Sequence, residues 1–87
     1  MVKQAVTINN ASGLHARPAM MLVKEASKYE SHINIVYGSN EVNAKSIMGI
    51  MSMGLTVGAE IEITADGIDE KEALQGILAL FESNFGE

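Results

Sequence analysis

Regular alternation of polar and apolar residues between positions 60 and 65 is the feature that most constrains how this chain can fold. Positions 61, 63 and 65 are apolar and share one face of a strand, whereas the polar positions 60, 62 and 64 share the other. Residues 2–8, 33–37 and 41–44 are predicted to form three further strands, the last two joined by a hairpin turn at Gly38-Ser39-Asn40. Because strands of this kind bury one face, we expect helices to cover only one side of the sheet.

Two of the three predicted helices lie in the first two thirds of the chain. Residues 16–29 carry an apolar stripe with helical spacing, formed by Ala19, Leu22, Val23 and Ala26. Residues 46–53 are predicted to form a short helix, with Ser46 as its N-cap and Gly54 just beyond its end.

The third predicted helix begins at Asp69, which forms a capping-box pattern with Glu72. Its apolar stripe consists of Leu74, Ile77, Leu78, Phe81 and Phe85, and Gly86 ends it. Gly76 within this helix indicates close packing against a neighbour. The element order is therefore βαββαβα. We expect an α+β fold of the open-faced β-sandwich type, in which residues 1–87 form a single domain with a four-stranded antiparallel sheet and three helices on one face.

Composition excludes several classes of protein. The chain contains no cysteine, so neither disulfides nor thiolate metal sites can form. Its net charge of −5 argues against direct nucleic-acid binding, which needs a basic surface. No apolar run approaches the length of a signal peptide or a membrane span. We therefore expect a cytoplasmic protein that does not insert into membranes.

The segment 12–19, Ser-Gly-Leu-His-Ala-Arg-Pro-Ala, places His15 at the beginning of the first predicted helix. The first N–H groups of a helix have no partner within it, and its N-terminal end is partly positive, so an anion on His15 would be stabilised there. Arg17 adds a charge whose geometry suits phosphate oxygens. This set suits reversible transfer of a phosphoryl group onto a ring nitrogen. An exposed histidine without a role would show the same spacing.

The segment 43–54 is more apolar than a short helix can bury. Ile50 and Met53 can meet the core, and the surplus is predicted to form an exposed, partner-binding patch near His15. The predicted members of this patch are Met20, Lys24, Ile47, Met48 and Met51. Methionine suits a surface that meets several partners, although a methionine-rich core is the alternative interpretation.

Two motifs together resemble one protein family. Gly-Leu-His-Ala-Arg-Pro-Ala at 13–19 resembles the active-site signature of the HPr family, the histidine phosphocarriers of the bacterial sugar phosphotransferase system. Asn-Ala-Lys-Ser-Ile-Met-Gly-Ile-Met at 43–51 resembles the regulatory serine segment of that family. The predicted element order and the length agree as well, so the resemblance covers the whole chain.

The resemblance implies a phosphoryl carrier, not an enzyme, that accepts a phosphoryl group on His15 Nδ1 from enzyme I and donates it to sugar-specific IIA proteins or domains. Arg17 and the backbone N–H of Ala16 would stabilise the phosphate. HPr kinase/phosphorylase would phosphorylate Ser46, and the product would act in carbon catabolite control by binding a catabolite control regulator. We expect a monomer that needs no cofactor and no metal.

Some features leave alternatives open. Met20 and Met21 are bulkier than the residues usual in the family, which affects the expected choice of partner. A related branch, Crh, lacks the active-site histidine and is excluded by His15, whereas a nitrogen-related branch usually lacks the serine segment. Two other classes remain: a regulatory binding module with Ser46 as its switch, and a small α+β binding domain that is never phosphorylated.

Overall fold

The computed structural model describes all 87 residues, and its elements follow the predicted order. The strands are β1 (Val2–Thr7), β2 (His32–Tyr37), β3 (Asn40–Asn43) and β4 (Glu60–Asp66). The helices are α1 (Ala16–Ala26), α2 (Ile47–Ser52) and α3 (Glu70–Glu82), followed by a short 3₁₀ turn over Asn84–Gly86. The βαββαβα order is confirmed, and most element ends differ from the prediction by one or two residues.

The four strands form one antiparallel sheet in the order β1-β4-β2-β3. β4 pairs with β1 on one side, Val2 lying opposite Ala65 and Thr7 opposite Glu60. On its other side β4 pairs with β2, and β2 continues through the hairpin into β3. The strand with the plainest alternation in the sequence is therefore central in the sheet.

The helices cover one face of the sheet, as the alternation predicted. Ile61, Ile63 and Ala65 of β4 are buried, while Glu60 is exposed and Glu62 and Thr64 are half-buried. The core contains 17 buried apolar residues, among them Leu22, Ile50 and Ile77 from the three helices. The open-faced sandwich is confirmed, and its helical side carries the segments that the sequence singled out.

The beginning of α3 differs from the predicted capping box. The Asp69 side chain makes no hydrogen bond to its own helix. It accepts hydrogen bonds from the backbone N–H of Glu30 (2.9 Å), the backbone N–H of Ser31 (3.0 Å) and the Ser31 hydroxyl (2.5 Å). Glu70 Oε1 instead accepts from Gly67 N–H at 3.2 Å. The prediction of a capping box was wrong because Asp69 ties α3 to the loop before β2.

α3 also ends earlier than the apolar stripe predicted. Its last residue is Glu82, and Phe85 lies beyond it in left-handed backbone, with φ of 55°. Phe85 is nevertheless buried, its ring packed edge-to-face on Phe81 with centroids 5.0 Å apart. The stripe therefore predicted the burial of Phe85 correctly and its conformation wrongly.

Gly76 of α3 packs closely against α1, as its position inside a helix suggested. A Cβ at Gly76 would collide with the Tyr29 hydroxyl and approach Glu25 Oε2 to 2.6 Å. The Tyr29 hydroxyl donates a 2.8 Å hydrogen bond to that carboxylate. The close approach of Gly76 to Glu25 and Tyr29 therefore brings together α3 and α1, the two longest helices of the molecule.

Candidate functional site

The turn before α1 is fixed in place by the loop that follows α2. Gly13 has φ of 65°, a conformation that glycine adopts freely, and a Cβ there would lie 2.6 Å from the backbone oxygen of Leu55. The next residue, Leu14, donates its N–H to that same oxygen at 3.0 Å and is buried. The chain therefore enters α1 on a rigid path, with His15 directly after the anchored Leu14.

His15 is the N-cap residue of α1, and its side chain makes no capping hydrogen bond. Its backbone is extended, with φ of −78° and ψ of −168°, and its carbonyl accepts the first helical hydrogen bond, from Ala19 N–H at 3.0 Å. The side chain is 49% exposed. The imidazole is therefore accessible at the beginning of the helix.

The first turn of α1 leaves two donors free. Ala16 and Arg17 are its first two residues, and their N–H groups precede the first helical hydrogen bond. The third residue is Pro18, which has no N–H. Beside His15 there are thus two unpaired backbone N–H groups at the positive end of a helix, the arrangement that binds phosphate groups in proteins.

Glu87 is part of this site, although the sequence did not point to it. Its carboxylate accepts hydrogen bonds from the Ser12 hydroxyl, at 2.7 Å to Oε1 and 2.6 Å to Oε2. Buried Asn10 donates from Nδ2 to Gly13 O at 2.7 Å and reaches Glu87 Oε2 at 3.5 Å. The Ser12 hydrogen bond lowers the pKa of Glu87, so the carboxylate is held in its charged form. Glu87 Oε2 lies 3.7 Å from His15 Nε2.

The basic residues of this side of the molecule divide into two groups. Lys28 pairs with Glu25 at 2.9 Å, and Lys45 Nζ donates to the backbone oxygen of Tyr29 at 2.7 Å, just past α1. Arg17 and Lys24 are exposed, and neither forms an ion pair or a side-chain hydrogen bond. The positive charge available to an incoming anion or partner therefore comes from Arg17 and Lys24.

The structure brings together three of the residues predicted to form a patch, Met20, Lys24 and Ile47. Met20 and Lys24 line two adjoining surface depressions, one extending to Ala16 and Arg17 and the other to Ile47. Met20 is 63% exposed and Met48 80%, while Ile47 and Met51 are less exposed. Ile50 is fully buried and Met53 packs partly against the core. We call Met20, Lys24, Ile47, Met48 and Met51 the apolar patch; it spans α1 and α2.

Ser46 is the N-cap of α2, as predicted. Its hydroxyl oxygen accepts a hydrogen bond from the backbone N–H of Gly49 at 3.1 Å. The following residue, Ile47, belongs to the apolar patch, so Ser46 lies at the edge of that patch. The side chain is partly exposed.

Comparisons with known proteins agree with the family resemblance of segments 12–19 and 43–54. A family model described as the PTS HPr component phosphorylation site matches residues 2–83. The phosphocarrier protein HPr of Treponema pallidum (strain Nichols) is 45% identical over 87 residues, which are all of this chain and 99% of the relative. The chain belongs to the HPr family. HPr proteins are phosphocarriers of the phosphotransferase system and not catalysts, which agrees with what the motifs implied.

Solved structures of the HPr family agree with the fold. The crystal structure of HPr-C-His from Thermoanaerobacter tengcongensis is 47% identical, with a TM-score of 0.97 over all of this chain and 98% of that one. Crh of Bacillus subtilis, described as a catabolite repression protein, is 41% identical, with a TM-score of 0.72 over 95% of each chain. That Crh structure is a swapped, intertwined dimer, so the fold occurs in dimers as well as in single chains.

The structure contains no membrane-spanning helix and no cluster of metal-binding side chains. None of its helices is both long and apolar enough to span a membrane. No group of three or more His, Cys, Asp or Glu side chains lies close enough together to hold a metal ion. His32, the second histidine, is exposed at the beginning of β2 and lies opposite Asp66 of β4. His15, in contrast, lies outside the sheet.

Proposed function

We propose that His15 accepts a phosphoryl group from enzyme I and donates it to sugar-specific IIA proteins or domains. The observation that carries this proposal is the position of His15. It is an exposed N-cap imidazole beside two unpaired backbone N–H groups, those of Ala16 and Arg17. A phosphoryl group on the ring would gain those donors, the positive end of α1 and the guanidinium of Arg17.

In the proposed transfer, the lone pair of His15 Nδ1 attacks phosphorus, and the bond from phosphorus to the donor breaks with its electron pair returning to the donor. The assignment to Nδ1 follows from the family resemblance. Ala16 N–H, Arg17 N–H and the Arg17 side chain bind the phosphate oxygens. Transfer onward reverses these bond changes, and the partner enzymes supply most of the stabilisation of the transition state.

We also propose that Ser46 is a regulatory phosphorylation site for HPr kinase/phosphorylase and that the phosphorylated chain binds a catabolite control regulator. Support comes from the partly exposed hydroxyl of Ser46 and its place at the edge of the apolar patch. A phosphate there adds about −1.5 to −2 charges. That charge would stand beside the surface on which enzyme I and the IIA proteins dock.

The apolar patch is the proposed docking surface for these partners. It combines exposed methionines with Lys24 and adjoins Arg17, so it suits a partner face that is apolar with an acidic rim. We propose that the chain acts as a single domain and as a monomer in the cytoplasm, since one copy contains both His15 and the whole patch.

The test of the carrier function is the transfer of labelled phosphate from phosphoenolpyruvate through enzyme I. The parent chain should become labelled with an acid-labile, base-stable phosphate. His15→Ala should remove the label, and His32→Ala, which changes an exposed histidine elsewhere, should keep it. Labelling of His15→Ala at the parent level would overturn the proposal. A parent chain that is labelled only by ATP and a kinase would instead support a regulatory binding module without carrier activity.

A further inference from the structure

Glu87 holds a charged carboxylate against one edge of the His15 ring, and the carrier function above does not use it. Its Oε2 is 3.7 Å from His15 Nε2, close enough to attract a proton on that nitrogen. The Glu87 side chain is only 25% exposed, whereas that of His15 is 49% exposed. The more enclosed partner in this pair is therefore the carboxylate, and the more exposed partner is the ring.

Two separate anchors keep the carboxylate in place. On one side the Ser12 hydroxyl donates to it, and the buried Asn10 amide, itself bound to Gly13 O at 2.7 Å, reaches it at 3.5 Å. On the other side the backbone turns back sharply, because Asn84, Phe85 and Gly86 all have positive φ. Left-handed backbone is unfavourable for a bulky residue such as Phe85, and it persists here because the Phe85 side chain is buried. The turn directs Glu87 toward Ser12.

We propose that Glu87 is a positioning residue for His15: its negative charge favours the ring form that carries its proton on Nε2, and so leaves the lone pair on Nδ1 for the phosphoryl group. In a histidine ring, the polar partner that faces one nitrogen influences which nitrogen carries the proton. A carboxylate facing Nε2 selects the form with the proton on Nε2. The inference rests on the proposed function, because it assumes that Nδ1 is the acceptor.

The same contact acts after transfer. When Nδ1 forms its bond to phosphorus and the donor takes back its electron pair, Nε2 keeps its proton and the ring becomes cationic. The Glu87 carboxylate then faces a positive ring and stabilises it. When the phosphoryl group leaves, the electron pair returns to Nδ1, and the proton on Nε2 has not moved. Glu87 therefore favours transfer without taking up a proton itself.

The experiment compares the parent with Glu87→Gln, which keeps the shape and removes the charge. Glu82→Gln is the matched control, since it removes an exposed carboxylate near the end of α3 that makes no hydrogen bond. Nitrogen-15 NMR of the His15 ring reports which nitrogen carries the proton, and single-turnover labelling through enzyme I reports the rate. In Glu87→Gln the share of ring with the proton on Nε2 should fall, and acceptance should slow by roughly two- to fivefold, the range for a partly exposed charge contact. Glu82→Gln should change neither.

Ser12→Ala provides a second variant that leaves the charge of Glu87 in place. It removes the main hydrogen bond to the carboxylate, so it should shift the ring nitrogens in the same direction as Glu87→Gln, and by less because Asn10 remains. Unchanged ring signals or undiminished acceptance in Glu87→Gln would overturn the inference. If the parent itself takes no label from enzyme I, the carrier function fails. Parent labelling with no effect of Glu87→Gln defeats the positioning role alone.

Discussion

The hydroxyl oxygen of Ser46 accepts a 3.1 Å hydrogen bond from the backbone N–H of Gly49, so the proposed regulatory serine is also the N-cap of α2. Phosphorylation of Ser46 would place negative charge at the beginning of a helix, where negative charge is locally favourable. Phosphorylation of Ser46 is therefore not expected to unfold α2. An effect of this modification on transfer must come from the docking surface next to it.

The first prediction is that phosphorylation of Ser46 inhibits transfer to His15 without unfolding the protein. Ser46→Asp should reproduce part of the inhibition, with a melting temperature equal to or above that of the parent. Ser46→Ala, which removes the cap, should cost about 0.5–2 kcal/mol of stability and leave transfer uninhibited. Thermal unfolding and enzyme I labelling on the same samples test this. A clear drop in melting temperature on phosphorylation would contradict it by placing the effect in folding.

The second prediction concerns Arg17. Arg17→Ala should accept phosphate more slowly, by about tenfold, which corresponds to the loss of roughly one charge-assisted hydrogen bond. Transfer should persist because the two backbone N–H groups of α1 remain. Lys3→Ala is the control for charge, as Lys3 is an exposed base on β1, outside the apolar patch, and its variant should accept phosphate like the parent. Single-turnover rates equal to the parent would show that Arg17 does not contact the phosphoryl group.

The third prediction separates docking from packing. Met48 is 80% exposed, so Met48→Glu should change the free energy of unfolding by no more than about 0.5 kcal/mol. It should weaken binding to enzyme I and to a IIA protein by about tenfold, since it puts a negative charge into the patch. Calorimetric affinity and the denaturant midpoint are measured on the same variant.

The control for this prediction is Ile68→Glu. Ile68 is 88% exposed and follows β4, at the end of the sheet opposite to His15, as the pairing of Val2 with Ala65 and Thr7 with Glu60 shows. Ile68→Glu should bind enzyme I and the IIA protein with the affinity of the parent. If Met48→Glu binds normally and is equally stable, the docking surface lies elsewhere. If it is strongly destabilised, Met48 belongs to the core.

The fourth prediction is a dependence of stability on pH through Asp69. The Ser31 hydroxyl, and then the backbone N–H groups of Glu30 and Ser31, lower the pKa of Asp69 below its ordinary value of 3.8. A carboxyl whose pKa is lower in the folded state stabilises the fold above its unfolded pKa. That stabilisation is lost as pH falls below 3.8 and through the lower folded value.

Denaturant midpoints between pH 7 and pH 2 test this prediction when parent and Asp69→Asn are compared. Asp69→Asn should be less stable at neutral pH, and the gap between the two proteins should close as pH falls below 3.8. The comparison matters because other carboxyls with lowered pKa, such as Glu70, also titrate in this range. A gap that stays constant with pH would show that Asp69 contributes no charge-dependent stability.

Local patterns in the sequence predicted local structure well. The alternation at 60–65 gave the buried face of β4, and Ser46 with Gly54 bounded α2 within a residue. The Met20 and Ile47 side chains were expected on one surface, and they line one depression. Each of these predictions depends either on the spacing of residues within one element or on a segment having more apolar residues than it can bury. Both features are visible in a short stretch of sequence.

Contacts between distant residues could not be predicted in the same way. The sequence predicted that Asp69 caps its own helix, but the partners of its side chain lie 38 and 39 positions away. Glu87 meets Ser12 across 75 positions and carried no pattern that could have marked it. A single carboxylate gives no local sign of which distant donor it will meet, because that depends on how the elements pack.

The order of strands in the sheet bears on when the histidine site can form. β1 pairs only with β4, and Leu14 is anchored by Leu55, so the segment with His15 lacks these distant partners until the chain has been made well past its middle. Contacts between residues so far apart form slowly, because a long loop must close first. On the ribosome, the histidine motif must therefore emerge without its final geometry. The proposed acceptor His15 therefore gains its final surroundings only late in synthesis.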